Sequence, residues 1–463
     1  MDLMSESDRS GKSTVGRKIA LLLCVVAGLV FIALWVARSR LREEVAVRLA
    51  GIRAEGLPTS GQEMSQWRPM PPRDENGAWI LIEAMAKEKP LPKGITSSDV
   101  SAFLHRTNQW SQETKESFSG YVRTNESVLA KVDEGLARPR FRFPIDYAAG
   151  PEALLPHLGK LRATGQLLAL KAALEAESGD GDKCVEDILR TLKLAETLDA
   201  EPLVASWLTR GIIIQTAVRA LQRSLNRVAL DDEQCRRLTD ALASVVEMNL
   251  LPTVLAGERA MNSAVFEMNP AKIEQMINPS GSSNQDRNEI LLQRSGFEAL
   301  RATGLSDRDL NFYLETMEKA REVVSLPPPG NLALEGLMDD AKRIARKRFY
   351  LFSMLLLSSG REAERDASTR ARVASAISAL AVERFRLANK RLPKDLEELT
   401  PEFLAVVLDD PFDGKPIRYQ VKGNGYVLYS VDRDLKDDGG RERPAHAQSM
   451  DKSTYDSTFI VDR

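Results

Sequence analysis

The feature that most constrains this chain is the run at residues 19–37, nineteen consecutive residues without a charge. At about 1.5 Å of rise per residue, one helix of that length covers the hydrocarbon thickness of a bilayer. The run reads as a single transmembrane helix, and residues 1–18 read as a short cytoplasmic tail. Arg17 and Lys18 precede it and Arg38, Arg40 and Arg42 follow it, so flanking charge is nearly balanced and does not set the orientation. The short tail and the large remainder favour a cytoplasmic N-terminus. Cleavage as a signal peptide is disfavoured, because Leu34-Trp35-Val36-Ala37-Arg38 offers no small-x-small site. Lipidation at Cys24 is disfavoured too, since Leu23 stands where a small residue is needed. The expected location is the inner (cytoplasmic) membrane, crossed once, with the C-terminal bulk extracytoplasmic.

The rest of the chain has the composition of folded protein, with 43% hydrophobic and 28% charged residues over 463 positions. Its 64 Lys and Arg nearly cancel its 66 Asp and Glu, and aromatics are 6%, so neither a basic field nor a stacking groove for nucleic acid is expected. Cys24, Cys184 and Cys235 are too few for a disulfide framework, and His105, His157 and His446 lie far apart. No HExxH or CxxC occurs, which disfavours a metalloenzyme. Gly11-Lys12-Ser13-Thr14 imitates the end of a phosphate-binding loop, but Glu6 occupies the first glycine position and an apolar span follows.

Residues 41–340 read as a helical body. Gly56-Leu57-Pro58 ends the first charged helical stretch, and Thr59 or Ser60 can cap the next helix. Arg68-Pro69-Met70-Pro71-Pro72 must be extended, and it reads as a strap over the protein's own core rather than a peptide-binding surface. Residues 161–177 and 182–197 flank Ser178-Gly179-Asp180-Gly181 and describe two helices joined by a tight turn. This pair resembles one tetratricopeptide-type hairpin, although no 34-residue period continues on either side. His157 and Cys184 lie in this region without a catalytic signature and read as structural. A polar segment near 278–290 reads as a mobile loop, and Ser325-Leu326-Pro327-Pro328-Pro329-Gly330 as a hinge. Beyond it, Lys342, Arg343, Arg346, Lys347 and Arg348 precede the mostly apolar residues 349–357. That apolar stretch is too short to span a bilayer, and it reads as a buried helix rather than one seated on a membrane surface.

The C-terminal part has its own pattern. Val373, Ile377, Leu380, Ala381 and Phe385 repeat at helical spacing, and β patterns at 417–421 and 426–430 flank Lys422-Gly423-Asn424-Gly425. Three sequences occur in order: Glu383-Arg384-Phe385-Arg386-Leu387-Ala388-Asn389-Lys390-Arg391-Leu392-Pro393, then Asp410-Pro411-Phe412-Asp413-Gly414-Lys415-Pro416, then Tyr426-Val427-Leu428-Tyr429-Ser430-Val431-Asp432. In this combination residues 345–463 resemble the globular domain of a type II secretion major pseudopilin, without the prepilin-peptidase site that begins true pseudopilins. The whole chain also resembles membrane-anchored proteins of planctomycete-type bacteria, a likeness that carries no activity.

The pseudopilin resemblance implies a small C-terminal α/β domain and a calcium-binding last loop. The residues standing there are Asp432, Asp434, Asp437, Asp438 and Asp456, hard oxygen ligands of the kind Ca²⁺ accepts. A solvated acidic turn, interspersed with Arg433 and Lys436, is the competing reading. The expected protein is therefore mainly α: one N-terminal transmembrane helix, a helical-hairpin body that is partly tetratricopeptide-like, and a pseudopilin-like α/β end. It is expected to bind or assemble with other envelope proteins, in secretion or pilus biogenesis, and not to be an enzyme. An envelope hydrolase using carboxylates is the alternative, but no acidic pair is singled out by motif.

Overall fold

A computed structural model describes residues 7–269, 271–273, 298, 300, 301, 303–444 and 455–463. The segment near 278–290 and His446 lie outside the described residues. In chain order the described helices are α1 (Ser7–Ala54), α2 (Gly61–Trp67), α3 (Ala78–Ala86), α4 (Ser97–Phe103), α5 (Gln112–Thr124), α6 (Glu126–Leu136), α7 (Pro156–Glu177), α8 (Gly181–Glu196), α9 (Val204–Leu225), α10 (Asp232–Glu247), α11 (Leu251–Asn262), α12 (Leu305–Val324), α13 (Leu334–Arg348), α14 (Leu351–Leu356) and α15 (Glu362–Asn389). The strands β1 (Arg418–Lys422), β2 (Gly425–Ser430) and β3 (Ser457–Val461) form one antiparallel sheet in the order β1-β2-β3. The class is mainly helical with a small sheet.

The apolar run 19–37 lies within α1, which continues without a break to Ala54. Among the described residues, no single helix is long and apolar enough to cross a membrane. One bent pair, Asp232–Glu247 with Leu251–Glu267, has the length and composition for it, across a 43° break. Cys235, Leu238, Leu242, Val245, Leu251 and Val254 of that pair are buried in protein, as core helices are.

The chain divides into two compact units. The first gathers Met1–Thr59, Asn262–Thr316 and Asp340–Leu357. In it, Arg38 and Arg42 approach Asp307 at 3.6 and 3.7 Å, and Arg48 donates to Asn311 Oδ1 at 2.7 Å, so the start of α12 lies along α1. Phe266 packs against Tyr313 and Phe352 with ring centroids 5.7 and 4.9 Å apart. Asp309 accepts the Phe352 and Ser353 backbone N–H groups at 2.8 and 3.1 Å and the Ser353 hydroxyl at 2.5 Å. That one carboxylate fastens the start of α14 to α12.

The second unit comprises Ser60–Met261, Met317–Asp339 and Ser358–Arg463. The α7–α8 hairpin forms where its spacing predicts. Pro156 opens α7, Gly179 takes the positive φ of the turn (82°), and the Asp180 side chain caps α8 by accepting the Lys183 N–H at 3.0 Å. Asp231 and Gln234 cap α10 reciprocally, and Ser60, of the two candidates, caps α2. One core cluster runs from α3 through the hairpin to α15 and the sheet, so Leu168, Ile214, Leu380, Tyr426 and Phe459 belong to the same apolar interior. The residues from Ser358 onward thus share a core with Ser60–Met261.

β2 is buried along its whole length. Tyr426 and Leu428 join the main core, while Val427 and Tyr429 face the other way and pack with Ile460. That second face is covered by the following loop. Gly440 has φ +71°, and a Cβ there would stand 3.1 and 3.2 Å from Tyr429 and Val427. At the sheet edge, Asn226, which caps the end of α9, donates to the Ile460 carbonyl at 2.9 Å and accepts the Asp462 N–H at 2.8 Å, which occupies polar groups beside an edge strand.

Candidate functional site

In the C-terminal region the polar network centres on Asp410. Its carboxylate is fully buried and accepts the Phe412 N–H at 3.0 Å, the Val431 N–H at 3.0 Å, the Ser430 hydroxyl at 2.9 Å and the Arg418 guanidinium at 2.7 Å. Arg418 also pairs with Asp413. Burial raises the Asp410 pKa, opposed by the two backbone donors, Ser430 and Arg418. One residue thereby ties the Asp-Pro-Phe-Asp-Gly turn, β1 and the end of β2 together. Nearby, Glu383 of α15 accepts from the buried Tyr426 hydroxyl at 3.0 Å and from Arg463 at 3.0 Å. Burial, then the Glu383 charge, raise the Tyr426 pKa well above its ordinary value, so the phenol stays protonated.

The five expected calcium ligands fall into two groups. Asp432 and Asp434 lie on a 3-10 turn and accept the N–H groups of Arg433 and Lys436 at 2.8 and 3.1 Å. Asp437 accepts the Tyr429 hydroxyl at 3.1 Å and the Gly439 N–H at 2.9 Å. Asp456 accepts the Gly440 and Asp438 N–H groups at 2.8 and 3.4 Å. Burial raises the Asp456 pKa against those donors, and the Asp437 charge adds to the rise. Asp437, Asp438 and Asp456 therefore meet at one loop and Asp432 and Asp434 precede it. Among the described residues, no group of three or more His, Cys, Asp or Glu side chains converges tightly enough to hold a metal ion.

In the helical part, His157 and Cys184 serve separate clusters. His157 Nε2 meets Glu201 Oε2 at 3.0 Å, its ring stacks on Phe143 at 4.4 Å, and the Ser206 hydroxyl donates to the same Glu201 oxygen at 2.6 Å. The carboxylate stands between hydroxyl and imidazole, so this is not the serine–base relay of a hydrolase. The Cys184 thiol meets Ser224 Oγ at 3.1 Å, and burial pushes its pKa up to about 11. Burial pushes Cys235 up to about 12. Both thiols are free and buried, shifted opposite to the direction a nucleophile requires.

Two features went unread in the sequence. Arg223, wholly buried on α9, donates to Glu177 at 2.8 Å and to the carbonyls of Phe103, His105 and Asn108 at 3.2, 3.0 and 2.7 Å. It also lies 4.3 Å from the Trp110 ring centroid, and burial lowers its pKa to about 10. Its signal was a cation among the apolar positions of an otherwise core-facing helix. The second feature is a cleft of about 500 Å³ in the first unit, lined in part by Leu41, Glu44, Arg308, Phe312, Arg348 and Tyr350. No protein-family model, curated protein or solved structure matches this chain.

Proposed function

We propose that this protein is anchored in the cytoplasmic membrane by α1, with its folded bulk on the extracytoplasmic side. There it acts as an interaction or assembly component of the bacterial cell envelope. The observation carrying the anchor is that Ile19, Leu21, Leu23, Val26, Leu29 and Trp35, which at about 100° per residue are spread around α1, are all exposed. A helix apolar on every side suits a hydrocarbon surrounding. The assembly role is supported by the chemistry of the polar clusters. Asp410, Glu201, Glu383 and Arg223 are engaged in holding the fold, and the two buried thiols are not activated. The secretion- or pilus-related setting rests on the order of motifs along 383–432. On the same reading Ca²⁺ orders the last loop by drawing together acidic residues among Asp432, Asp434, Asp437, Asp438 and Asp456, which the loop holds apart without it.

The test is cross-linking in intact cells, followed by mass spectrometric identification of the attached proteins. Recurrent links to pilin-like or secretion proteins are expected. Links only to the protein itself, or to nothing, would refute the assembly role. Carbonate-resistant membrane association that is lost on deleting residues 19–37 tests the anchor separately.

A further inference from the structure

The turn between α13 and α14 departs from what local physics favours. Phe349 has φ +56°, and the Tyr350 N–H closes back onto the Ala345 carbonyl at 2.9 Å. This is a helix C-terminus whose left-handed position normally takes glycine, because a side chain there is crowded. A phenylalanine occupies it instead and stands 77% exposed. Leu351, Met354 and Leu355 beside it are exposed as well, while Phe352 and Ser353 between them are buried. The Asp309 carboxylate that holds the Phe352 and Ser353 amides fixes which side chains turn outward. The expectation of a buried helix at 349–357 therefore holds for only one of its faces. Immediately before the turn, Arg346, Lys347 and Arg348 are all exposed.

Contacts inside the first unit give the height of this patch. Arg38, the first charge after the apolar run, meets Asp307, and Asn311 meets Arg48, so α12 starts level with the exit of that run. Arg348 and Tyr350 share a cleft with Leu41 and Glu44 of α1. Leu41 is four residues past Ala37, roughly 6 Å along the helix axis, and the headgroup layer beyond the hydrocarbon is about that thick.

We infer that the turn at 346–355 is a second membrane contact. Phe349, Leu351, Met354 and Leu355 enter the interface of the leaflet from which α1 emerges, and Arg346, Lys347 and Arg348 bind its anionic headgroups. The inference rests on α1 spanning the bilayer. Apolar side chains beside a cluster of cations are the composition that holds a segment at an anionic lipid surface, each cation contributing roughly fivefold to binding. The exposed aromatic at a glycine position is accounted for by a surrounding that water does not supply.

The test uses the full chain carrying Cys24→Ser, reconstituted in nanodiscs rich in phosphatidylglycerol or made of phosphatidylcholine alone. A spin label is placed through Phe349→Cys or, as a reference, Ile32→Cys, and its accessibility to lipid-soluble oxygen and to a water-soluble nickel complex is compared. At 349 the label is expected to favour oxygen in phosphatidylglycerol discs. It should shift toward nickel in phosphatidylcholine, and also when Arg346→Gln, Lys347→Gln and Arg348→Gln are combined. A nickel-accessible 349 with an oxygen-accessible 32 in anionic discs overturns the inference and leaves the span standing. Lipid contact at 349 that ignores headgroup charge overturns the anionic assignment. A nickel-accessible 32 overturns the span and this inference with it.

Discussion

Replacing Asp410 by alanine removes the common acceptor of four donors, and the structure allows the cost to be worked out. Arg418 keeps Asp413, and the Ser430 hydroxyl can turn because its oxygen also accepts the Asp432 N–H at 3.1 Å. The Phe412 and Val431 N–H groups, both held at 3.0 Å, have no comparable substitute. Two stranded buried amides at about 1–3 kcal/mol each, plus a weakened hydroxyl, give a total of about 3–5 kcal/mol. Hydrogen exchange of the detergent-solubilised full chain reads this locally, and amides across 408–432 should exchange about two to four orders of magnitude faster. Asp410→Asn keeps one acceptor oxygen but turns an NH₂ toward former donors, so an intermediate loss is expected. Peptides from α7 should keep their protection, which separates local opening from unfolding of the whole unit. Exchange across 408–432 within about threefold of the unsubstituted protein would refute the assignment of Asp410 as the tie between turn and sheet.

Two further outcomes are expected. Ca²⁺ at about a hundred times its dissociation constant should slow exchange across 432–444 by roughly a hundredfold, and Asp456→Asn should abolish the effect; identical exchange with Ca²⁺ and with chelator would remove the metal from the proposal. Burial raises the Asp309 pKa from 3.8 to about 6, against its hydrogen bonds from Ser353 and Phe352. A raised acid binds its proton more tightly when folded, so its stabilising contribution is complete below the unfolded pKa and is lost as pH rises through about 6, to the extent of about 3 kcal/mol. Thermal midpoints measured at pH 4.5 and 7 should differ less in Asp309→Asn than in the unsubstituted chain, and equal differences would contradict this.

What could be read from sequence was what depends on neighbours along the chain. The α7–α8 hairpin followed from apolar spacing on either side of a Gly-Asp-Gly turn, and β1 and β2 followed from β-branched and aromatic runs around Gly423 and Gly425. What escaped depends on residues distant in sequence. β3 offered Thr458, Phe459, Ile460 and Val461, a usable β signal, but its pairing with β2 crosses the whole acidic loop. Glu177 and Arg223 lie on different helices, and nothing local marks them as partners. Asp410 lies in the Asp410–Pro416 turn motif, yet its donors Ser430 and Val431 stand at the end of β2 and just past it. The acidic loop illustrates the converse. Four aspartates close in sequence, with Asp456 eighteen residues further on, read as one set, and backbone amides divide them between two turns.

The continuity of α1 also has a rotational consequence. A helix of 48 residues without a break extends about 72 Å, and residues 38–48 of that same helix hold the first unit. With α1 anchored as proposed, the azimuth of that unit about the membrane normal is geared to the number of residues between bilayer and contact. Adding one residue after Ala37 would swing the unit by about 100° and raise it by about 1.5 Å, whereas seven would return nearly the same heading at a greater distance.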